Sequence, residues 1–490
     1  MSSLDQLFPD WAGVPVQCDH LTLDSRQVRP GSLFLAVPGL RHDGRAHIAD
    51  AIEAGAVAVA YESADGFRPQ NLEQGKGAAI MLPVKDLAGQ ISAIAGRFFQ
   101  QPSHDIGLVG VTGTNGKTSV TQMLAQALAT LGRPCGVIGT LGSGLLGQLQ
   151  DHGMTTPDAI TVQQQLAQLR DQGAGWVCME VSSHALDQGR VADLQFDLAI
   201  FTNLSRDHLD YHGDMAHYGA AKARLFDRPL QAAIINVDDP FGQQLVEQSP
   251  SRCFVYSLHS PEADLYCSDI EYTSSGISAA LHTGRRHAVL HSPLLGEFNL
   301  ANLLAVIATL LVLEVRLDRA VELAARLTPP AGRMQRLGGG ELPLVVVDYA
   351  HTPDALEKAL TALRLHAQGR LTCVFGCGGD RDTGKRPLMA RVAEQHADQI
   401  VVTDDNPRTE PSPQIIEQIL AGTQRTDSVR VIANRADAIR DSIMGAQAGD
   451  LILLAGKGHE TYQEIDGVRH PFSDIEQATR ALREWEAAHA

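Results

Sequence analysis

A glycine-rich run that ends in Lys117 and Thr118 is the part of this sequence best suited to chemistry. The run Gly110–Ser119 follows an apolar stretch and precedes a helix-like one. This arrangement cradles a nucleotide's phosphates, because glycines let backbone N–H groups converge and the helix N-terminus adds positive charge. The spacing departs from the common pattern, since Gly110 lies six residues before Gly116 rather than five. We predict an ATP- or GTP-binding loop in which Lys117 neutralises phosphate and Thr118 ligates Mg2+.

Polar residues also follow other apolar runs, which is where ligand groups collect in open α/β sheets. Glu180 ends one such run, His208 follows the next, and Lys222 lies on a helix-like stretch further along. A carboxylate and an imidazole facing a phosphate loop could hold a second Mg2+. The alternative is that Glu180 caps a helix and His208 is a hydrogen-bonded surface residue. A lone helical lysine such as Lys222 is usually a solvated surface residue.

The last third of the chain carries four more polar clusters after predicted strands: Asp348–Pro353, Gly376–Arg386, Asp404–Arg408 and Gly456–Glu460. Arg381 and Arg408 could each grip a carboxylate bidentately, and Glu460 could pair with an ammonium group. Together they suit a small zwitterionic ligand such as an amino acid. The alternative is a set of surface loops rich in turn formers, but four such loops in register favour a site.

Composition narrows the class of protein. The 490 residues carry a net charge of −17, which disfavours binding to nucleic acid or to anionic lipid as a main activity. Seven scattered cysteines form no disulfide framework and indicate a reducing compartment. The N-terminus does not resemble a signal peptide, and no stretch is long enough for a membrane span. We therefore expect a cytoplasmic protein without membrane insertion.

Alternating strand and helix patterns predict an α/β protein of three domains. Residues 1–100 form a small α/β domain, residues 101–330 a central P-loop domain with a mostly parallel sheet, and residues 331–490 a doubly wound, Rossmann-like domain. Pro329–Gly332 breaks a helical region predicted over Leu300–Leu327. The strands predicted in the second and third domains are Pro134–Ile138, Trp176–Glu180, Asp197–Thr202, Ala232–Asn236, Leu344–Val347, Leu371–Phe375, Gln399–Thr403 and Asp450–Leu454.

Four motifs together resemble the Mur ligases of peptidoglycan synthesis, and the resemblance covers essentially the whole chain. The motifs are Gly110–Thr118, Glu180–Leu186, Thr202–His212 and Asp348–Asp354. Within that family, Thr155–Pro157 and Asp405–Arg408 resemble the member that adds meso-diaminopimelate. The resemblance implies an ATP-dependent, ADP-forming ligase that joins meso-diaminopimelate to the D-glutamate of UDP-N-acetylmuramoyl-L-alanyl-D-glutamate through an acyl phosphate. Such an enzyme serves cell-wall biogenesis, cell shape and cell division, and we expect it to be a monomer.

The resemblance also implies roles for individual residues. Those expected at ATP are Gly113, Thr114, Asn115, Gly116, Lys117, Thr118, Ser119, Asn299, Asn302, Arg333 and Asp348. Those expected at the UDP-muramoyl dipeptide are Leu23, Ser25, Arg41 and His42 at its uridine diphosphate, and Thr155, Thr156, Ser182, Gln188 and Arg190 at its muramoyl dipeptide. Those expected at diaminopimelate are Arg381, Asp405, Asn406, Pro407, Arg408, Gly456 and Glu460.

The same resemblance gives Lys222 a role that its position alone does not suggest. It matches the family's carbamylated lysine, which would help to bind Mg2+ with Thr118, Glu180 and His208. The implied catalytic residues are Lys117, Glu180, His208 and Lys222.

Two departures from the family pattern limit the implied contacts. Met154 stands where an asparagine commonly precedes the threonine pair, and the loop Leu40–Asp43 varies in type. Lysine-adding or D-alanyl-D-alanine-adding Mur enzymes and folylpolyglutamate synthase are rival ligases, but Arg408 argues against the first two and the full N-terminal domain against the third. A nucleotide-binding switch without amide chemistry would leave Glu180, His208 and Lys222 unexplained.

Overall fold

A computed structural model describes residues 1–39, 42–69, 79–424 and 429–489. The chain divides into two units, Met1–Phe254 and Val255–Ala490. The division at residues 100 and 330 expected from the sequence stays a prediction. Within the described ranges, no helix combines the length and the apolar character needed to cross a lipid bilayer.

The first hundred residues form a four-stranded parallel sheet of order β3-β4-β5-β6. Its inner strand β4 is buried at every position, as expected for a short apolar run covered on both faces. The elements are β1 (Ser2–Ser3), α1 (Leu4–Leu7), β2 (Gln17–Cys18), β3 (His20–Thr22), β4 (Ser32–Ala36), α2 (Ile48–Glu53), β5 (Ala56–Glu62), β6 (Ile80–Val84) and α3 (Leu87–Phe98).

The rest of the first unit is built on strands that run β12-β11-β7-β10-β8-β9. The pairs β12–β11, β11–β7, β7–β10 and β10–β8 are parallel, and β8–β9 is antiparallel. The elements are β7 (Gly107–Thr112), α4 (Lys117–Thr130), β8 (Cys135–Gly139), β9 (Gly142–Leu145), α5 (Ala159–Asp171), β10 (Trp176–Glu180), α6 (Ser183–Asp187), β11 (Leu198–Phe201), α7 (Leu209–His212), α8 (Met215–Ala223), β12 (Ala232–Asn236) and α9 (Pro240–Gln248).

This strand order decides which loops meet. Since β7 lies between β10 and β11, the carboxyl ends of these three strands are side by side. The order changes direction at β7, and such a switch point is where open α/β sheets bind ligands. The four strands predicted in this region are confirmed, with bounds that differ by at most one residue.

The second unit begins with a feature that the sequence analysis missed. The boundary between the units falls in β13, and three antiparallel strands follow where strand–helix alternation was expected. Serine and glycine at the turn between the first two, and Gly284-Arg285 between the last two, are the hairpin signals that could have revealed them. The elements are β13 (Cys253–Ser257), β14 (Leu265–Thr273), β15 (Gly276–Thr283), β16 (Arg286–Ser292), α10 (Glu297–Val312) and α11 (Leu317–Ala324).

The single helical region predicted over Leu300–Leu327 was wrong. It is two helices, because Glu314 adopts a φ of 63° just after α10 and Arg316 then caps α11 in an extended conformation. A left-handed residue cannot continue a right-handed helix, so the chain turns there.

The second unit ends in a six-stranded sheet of order β17-β18-β22-β19-β20-β21, parallel except for β17–β18. Its two faces bury separate apolar clusters, one with α12 to α14 and one with α15 and α16, so the predicted doubly wound architecture is confirmed. The elements are β17 (Gln335–Gly338), β18 (Leu344–Asp348), α12 (Pro353–Arg364), β19 (Leu371–Phe375), α13 (Lys385–His396), β20 (Gln399–Val402), α14 (Ser412–Leu420), β21 (Val429–Val431), α15 (Arg435–Met444), β22 (Leu451–Ala455), β23 (Tyr462–Ile465), β24 (Val468–Pro471) and α16 (Asp474–His489).

A buried histidine ties the end of α12 to the antiparallel strands. His366 Nε2 accepts a hydrogen bond from the Gly296 N–H at 2.8 Å, and its Nδ1 lies 2.7 Å from the Thr273 carbonyl oxygen. Both bonds need the neutral ring with its proton on Nδ1. Burial lowers the pKa of His366 below its ordinary value, with a smaller contribution from the charge of Arg336.

We predict that His366→Phe lowers the free energy of unfolding by about 1–3 kcal/mol at pH 7.5, because it leaves a buried N–H without an acceptor. Below pH 6.5 the unfolded histidine binds a proton that the folded one resists, so the wild type loses stability as the pH falls. The difference in the free energy of unfolding between wild type and variant, measured by denaturant titration, should therefore become smaller as the pH falls from 7.5 to 5. His287→Gln, at an exposed position of β16, is the control. A difference that stays constant with pH would contradict this role.

Candidate active site

The loop between β7 and α4 ends in a glycine that starts the helix. Gly116 has a φ of 87° and caps α4, whose first residue is Lys117. Lys117 Nζ donates hydrogen bonds to the carbonyl oxygens of Gly113 and Thr114 at 2.8 and 2.9 Å. The loop thus combines an ammonium group with a helix N-terminus, which is the chemistry of a phosphate site.

Residues after β11 hold this loop in place. The Asn203 carbonyl oxygen accepts from the Thr114 N–H at 2.8 Å, and Asn203 Oδ1 accepts from the Asn115 N–H at 3.0 Å. Gly113 has a φ of 148°, and a Cβ there would lie 2.0 Å from Thr202 Oγ1, so only glycine allows this approach. The sequence placed Thr202 and Asn203 at a strand end but did not predict that they support the loop.

Glu180 is a buried carboxylate that contacts the start of α4. Its side chain is buried with the residue 2% exposed, and Oε2 accepts from Thr118 Oγ1 at 2.9 Å. Thr140, at the turn between β8 and β9, donates its N–H to Oε1 at 2.8 Å and its hydroxyl to Oε2 at 3.1 Å. Burial raises the pKa of Glu180, while the charge of Lys117 and these hydrogen bonds act in the opposite direction.

The two adjacent threonines predicted at the dipeptide, Thr155 and Thr156, are joined to Glu180 by hydrogen bonds, one of them through Thr140. Thr155 Oγ1 lies 3.0 Å from Thr140 Oγ1, and Thr156 Oγ1 donates to the Glu180 carbonyl oxygen at 2.8 Å. The Thr156 hydroxyl in turn accepts from the Ser182 N–H at 3.1 Å. Sequence-distant residues therefore meet at the carboxyl end of β10.

Arg190 and Gln188 complete the same network. Arg190 Nη1 donates to the Thr156 carbonyl oxygen at 2.7 Å, and its Nη2 and Nε donate to Gln188 Oε1 at 2.6 and 3.0 Å. Gln188 Nε2 donates to the Tyr211 hydroxyl at 3.1 Å. The structure therefore brings five residues predicted at the dipeptide into one hydrogen-bonded group with Glu180: Thr155, Thr156, Ser182, Gln188 and Arg190.

Lys222 lies inside the protein, not on a solvated face. The residue is 1% exposed, and Nζ donates to the Gly113 carbonyl oxygen at 2.9 Å. The ammonium also lies 4.5 Å from the centre of the Tyr218 ring. Burial, with a smaller contribution from the charge of Lys117, lowers the pKa of Lys222 well below its ordinary value. An uncharged amine is a nucleophile, which a solvated ammonium is not.

His208 is more exposed to solvent than Glu180 and Lys222. It has a φ of 52°, its side chain is 48% exposed, and its ring centre is 4.9 Å from that of His184. Among the described residues it makes no hydrogen bond to Glu180 or Lys222, and the same ranges contain no group of three or more His, Cys, Asp or Glu placed to hold a metal ion. The fit to Mg2+ rests on the Glu180 carboxylate and the Thr118 hydroxyl, which already touch.

The residues predicted at uridine diphosphate come from the first hundred residues of the chain. Leu23 is half-buried, and Ser25 begins a 3-10 turn that is capped by Asp24. His42 is exposed, and Arg41 lies outside the described residues. Within the described part of the chain, Leu23, Ser25 and His42 make no hydrogen bond to the group around Glu180.

The residues of the second unit that are predicted to bind ATP are mostly buried. Asn299 Nδ2 donates to the Leu295 carbonyl oxygen at 2.8 Å, and Asn302 Nδ2 donates to Asn299 Oδ1 at 3.3 Å. Asp348 Oδ2 accepts from a backbone N–H at 2.8 Å, and burial raises the pKa of this carboxyl group. Arg333 lies 5.1 Å from the centre of a tyrosine ring.

The residues predicted to bind diaminopimelate lie in the second unit, where they form two groups. In the first, Asn406 Nδ2 donates to Glu460 Oε2 at 2.9 Å. Gly456 has a φ of 114°, and a Cβ there would lie 2.6 Å from Asp405 Oδ2. Burial raises the pKa of Asp405. These four residues therefore meet at the carboxyl end of β22.

The second group surrounds an arginine. Arg408 Nη1 donates to the Gly379 carbonyl oxygen at 2.7 Å, and the Pro407 carbonyl oxygen accepts from a backbone N–H at 3.1 Å. Arg381, on the loop that follows β19, is exposed. The buried Arg386 braces this loop by donating to the Gly378 carbonyl oxygen at 3.0 Å.

Three family models match the chain. "Mur ligase family, catalytic domain" matches residues 17–99, "Mur ligase middle domain" residues 111–310, and "Mur ligase, glutamate ligase domain" residues 332–458. The chain belongs to the Mur ligase family. The phosphate loop, Glu180 and Lys222 of this Mur ligase lie in the middle match, and Arg408 lies in the last one.

Relatives extend the match to the whole Mur ligase chain. UDP-N-acetylmuramoyl-L-alanyl-D-glutamate–2,6-diaminopimelate ligase of Ectopseudomonas mendocina is 59% identical over 99% of both chains. The Pseudomonas aeruginosa protein of that name is 58% identical over 100% of this chain and 99% of its own. A solved structure of a ligase of the same name has a TM-score of 0.78 at 35% identity, with both chains fully covered. The ADP complex of MurF from Thermotoga maritima has a TM-score of 0.61 at 18% identity and supports the fold.

Proposed function

We propose that this chain is an ATP-dependent ligase that joins meso-diaminopimelate to the D-glutamate of UDP-N-acetylmuramoyl-L-alanyl-D-glutamate in peptidoglycan precursor synthesis. The observation that carries the proposal is the identity of 59% over 99% of both chains to a ligase named for that reaction. The network that joins Thr118 through Glu180 to Thr156 and Arg190 supports it, because it links the phosphate loop to the predicted dipeptide residues.

Two chemical steps fit these residues. The D-glutamate carboxylate attacks the γ-phosphorus of ATP, which releases ADP and gives an acyl phosphate with a good leaving group. The amine of diaminopimelate then attacks the acyl carbon, and phosphate leaves as the amide forms and the amine proton is lost. Lys117 supplies positive charge at the phosphates once its ammonium exchanges its two loop carbonyls for phosphate oxygens.

Mg2+ belongs to this proposal. The Thr118 hydroxyl and the Glu180 carboxylate would hold one ion, and His208 with a carbamylated Lys222 would serve a second. Bound there, Mg2+ supplies positive charge against the transferring phosphoryl group. A carbamate needs an uncharged amine, and the burial that lowers the pKa of Lys222 supports its formation. The monomeric state and the cytoplasmic location stay predictions.

The proposed reaction can be tested directly. Purified protein is offered ATP, Mg2+ and UDP-N-acetylmuramoyl-L-alanyl-D-glutamate, with meso-diaminopimelate and L-lysine in parallel reactions, and the products are identified by mass. We expect a tripeptide product with diaminopimelate only, and phosphate release only when both co-substrates are present. Product with lysine alone would overturn the assigned amino acid, and phosphate release without an amide would overturn the ligase itself.

Arg408 is expected to read the distal carboxylate that diaminopimelate carries and lysine lacks. Its Nη1 donates to the Gly379 carbonyl oxygen and its Nε lies 3.9 Å from Glu464 Oε2, so the distal carboxylate is expected at Nη2, which makes neither contact. We predict that Arg408→Ala erases most of the preference, a change of about 10²- to 10³-fold in the ratio of kcat/KM values. Arg440→Ala, an exposed arginine of α15 paired with Glu484, is the matched control. An unchanged ratio in Arg408→Ala removes that residue from the role.

Lys222 carbamylation predicts a spectroscopic signal. With 13C-bicarbonate, the wild type should show a carbamate carbon resonance that is absent from Lys222→Arg, and the variant should lose about 10²-fold or more in kcat because a carboxylate for the metal is missing. Lys358→Arg, a half-exposed lysine paired with Asp354, should keep both signal and activity. The idea fails if the resonance persists in Lys222→Arg.

A further inference from the structure

One buried cation in the second unit has no role in the function proposed so far. Lys457, which follows β22, is 0% exposed. Its Nζ donates to Asn406 Oδ1 at 3.1 Å and to Glu460 Oε2 at 2.9 Å, and it lies 5.7 Å from the centre of the Tyr462 ring. A fully buried lysine is rare unless its charge is paired, so these contacts are what keep it inside.

Asn406 is fixed in one orientation by these contacts. Its Oδ1 accepts from Lys457 Nζ and from the Glu464 N–H at 2.9 Å, and its Nδ2 donates to Glu460 Oε2 at 2.9 Å. A flipped amide would place its nitrogen against two donors and its oxygen against a carboxylate. Both acceptor positions of the amide oxygen are therefore occupied. Nδ2 carries two N–H groups and one of them donates to Glu460, so the other can donate to a ligand.

Glu460 is oriented by the same lysine. Its Oε2 accepts from both Lys457 Nζ and Asn406 Nδ2. Among the described residues, Oε1 has no hydrogen-bond partner. Since one oxygen carries both protein contacts, the other is directed away from the lysine and can meet an ammonium group.

The charges around this group make Lys457 hard to replace. The Asp405 carboxyl group interacts electrostatically with Arg435, Lys457, Glu460 and Asp474. Arg435 and Asp474 are both fully buried and form a bidentate pair with N–O distances of 2.7 Å. Lys457 and Arg435 are therefore the two cations that offset the carboxyl groups of Asp405, Glu460 and Asp474. Without Lys457 one of these two cations would be lost, and the carboxylates would repel one another more strongly.

We propose that Lys457 is a positioning residue of the amino-acid site, which holds Asn406 and Glu460 in the geometry that binds diaminopimelate without contacting the substrate itself. The inference rests on the function proposed above. Lys457 acts through two residues that the ligand meets, so its loss should weaken amino-acid binding and leave nucleotide binding unchanged.

The test compares Michaelis constants for the separate substrates. We expect Lys457→Met to raise the KM for meso-diaminopimelate by about ten- to a hundredfold, the loss typical of breaking hydrogen bonds to a charged group, while the KM for ATP changes by less than about twofold. Lys457→Gln keeps an amide donor without the charge and should give a smaller rise. It also keeps the test open if Lys457→Met does not fold.

A double-mutant cycle separates positioning from general destabilisation. Because Lys457 acts partly through Glu460, Lys457→Met should have a smaller effect in a Glu460→Gln background than in the wild type. Ile439→Val, a buried core change on α15, is the control for lost stability and should leave both Michaelis constants unchanged. A folded Lys457→Gln enzyme with the wild-type KM for diaminopimelate, or additive effects in the cycle, would overturn the inference. Failure of the wild type to make product would instead overturn the proposed function.

Discussion

The first unit depends on a single buried carboxylate. Glu180 ends β10, and its side chain accepts hydrogen bonds from Thr118 at the start of α4 and from Thr140 at the turn between β8 and β9. Its carbonyl oxygen accepts from Thr156. Three segments that are distant in the sequence therefore contact one residue, and the three hydrogen bonds to its buried carboxylate oppose the rise in pKa that burial causes. The phosphate loop and the predicted dipeptide residues take their relative positions from it.

The sequence was sufficient for those parts of the fold that repeat a local pattern. The apolar runs that became β10, β12 and β19 were predicted with their observed bounds, since buried parallel strands read as continuous hydrophobic stretches. The antiparallel strands β14 to β16 were missed because only one face of each is regularly buried and the turn residues carry most of the signal. The break after α10 depends on one left-handed residue, Glu314, which composition does not reveal.

The candidate site was predicted residue by residue only where a motif carried it. Thr140 was missed because it lies at a turn with no motif of its own, and its importance comes from the register that places β8 beside β10. Lys457 was inside a recognised cluster, but its burial and its two partners follow from tertiary packing. Lys222 differs, because a lone lysine on a helix is usually a solvated surface residue. Its burial and its hydrogen bond to the Gly113 carbonyl oxygen exclude that interpretation. Long-range contacts, unlike periodicity, leave no local trace.

The loop after β19 is held by two arginines that bind successive carbonyl groups. Arg386 donates to the Gly378 carbonyl oxygen and Arg408 to that of Gly379, while Arg386 also pairs bidentately with Glu410. A segment restrained in this way has already lost most of its conformational entropy during folding. An incoming amino acid therefore has little disorder left to remove there, and more of its contact energy appears as affinity.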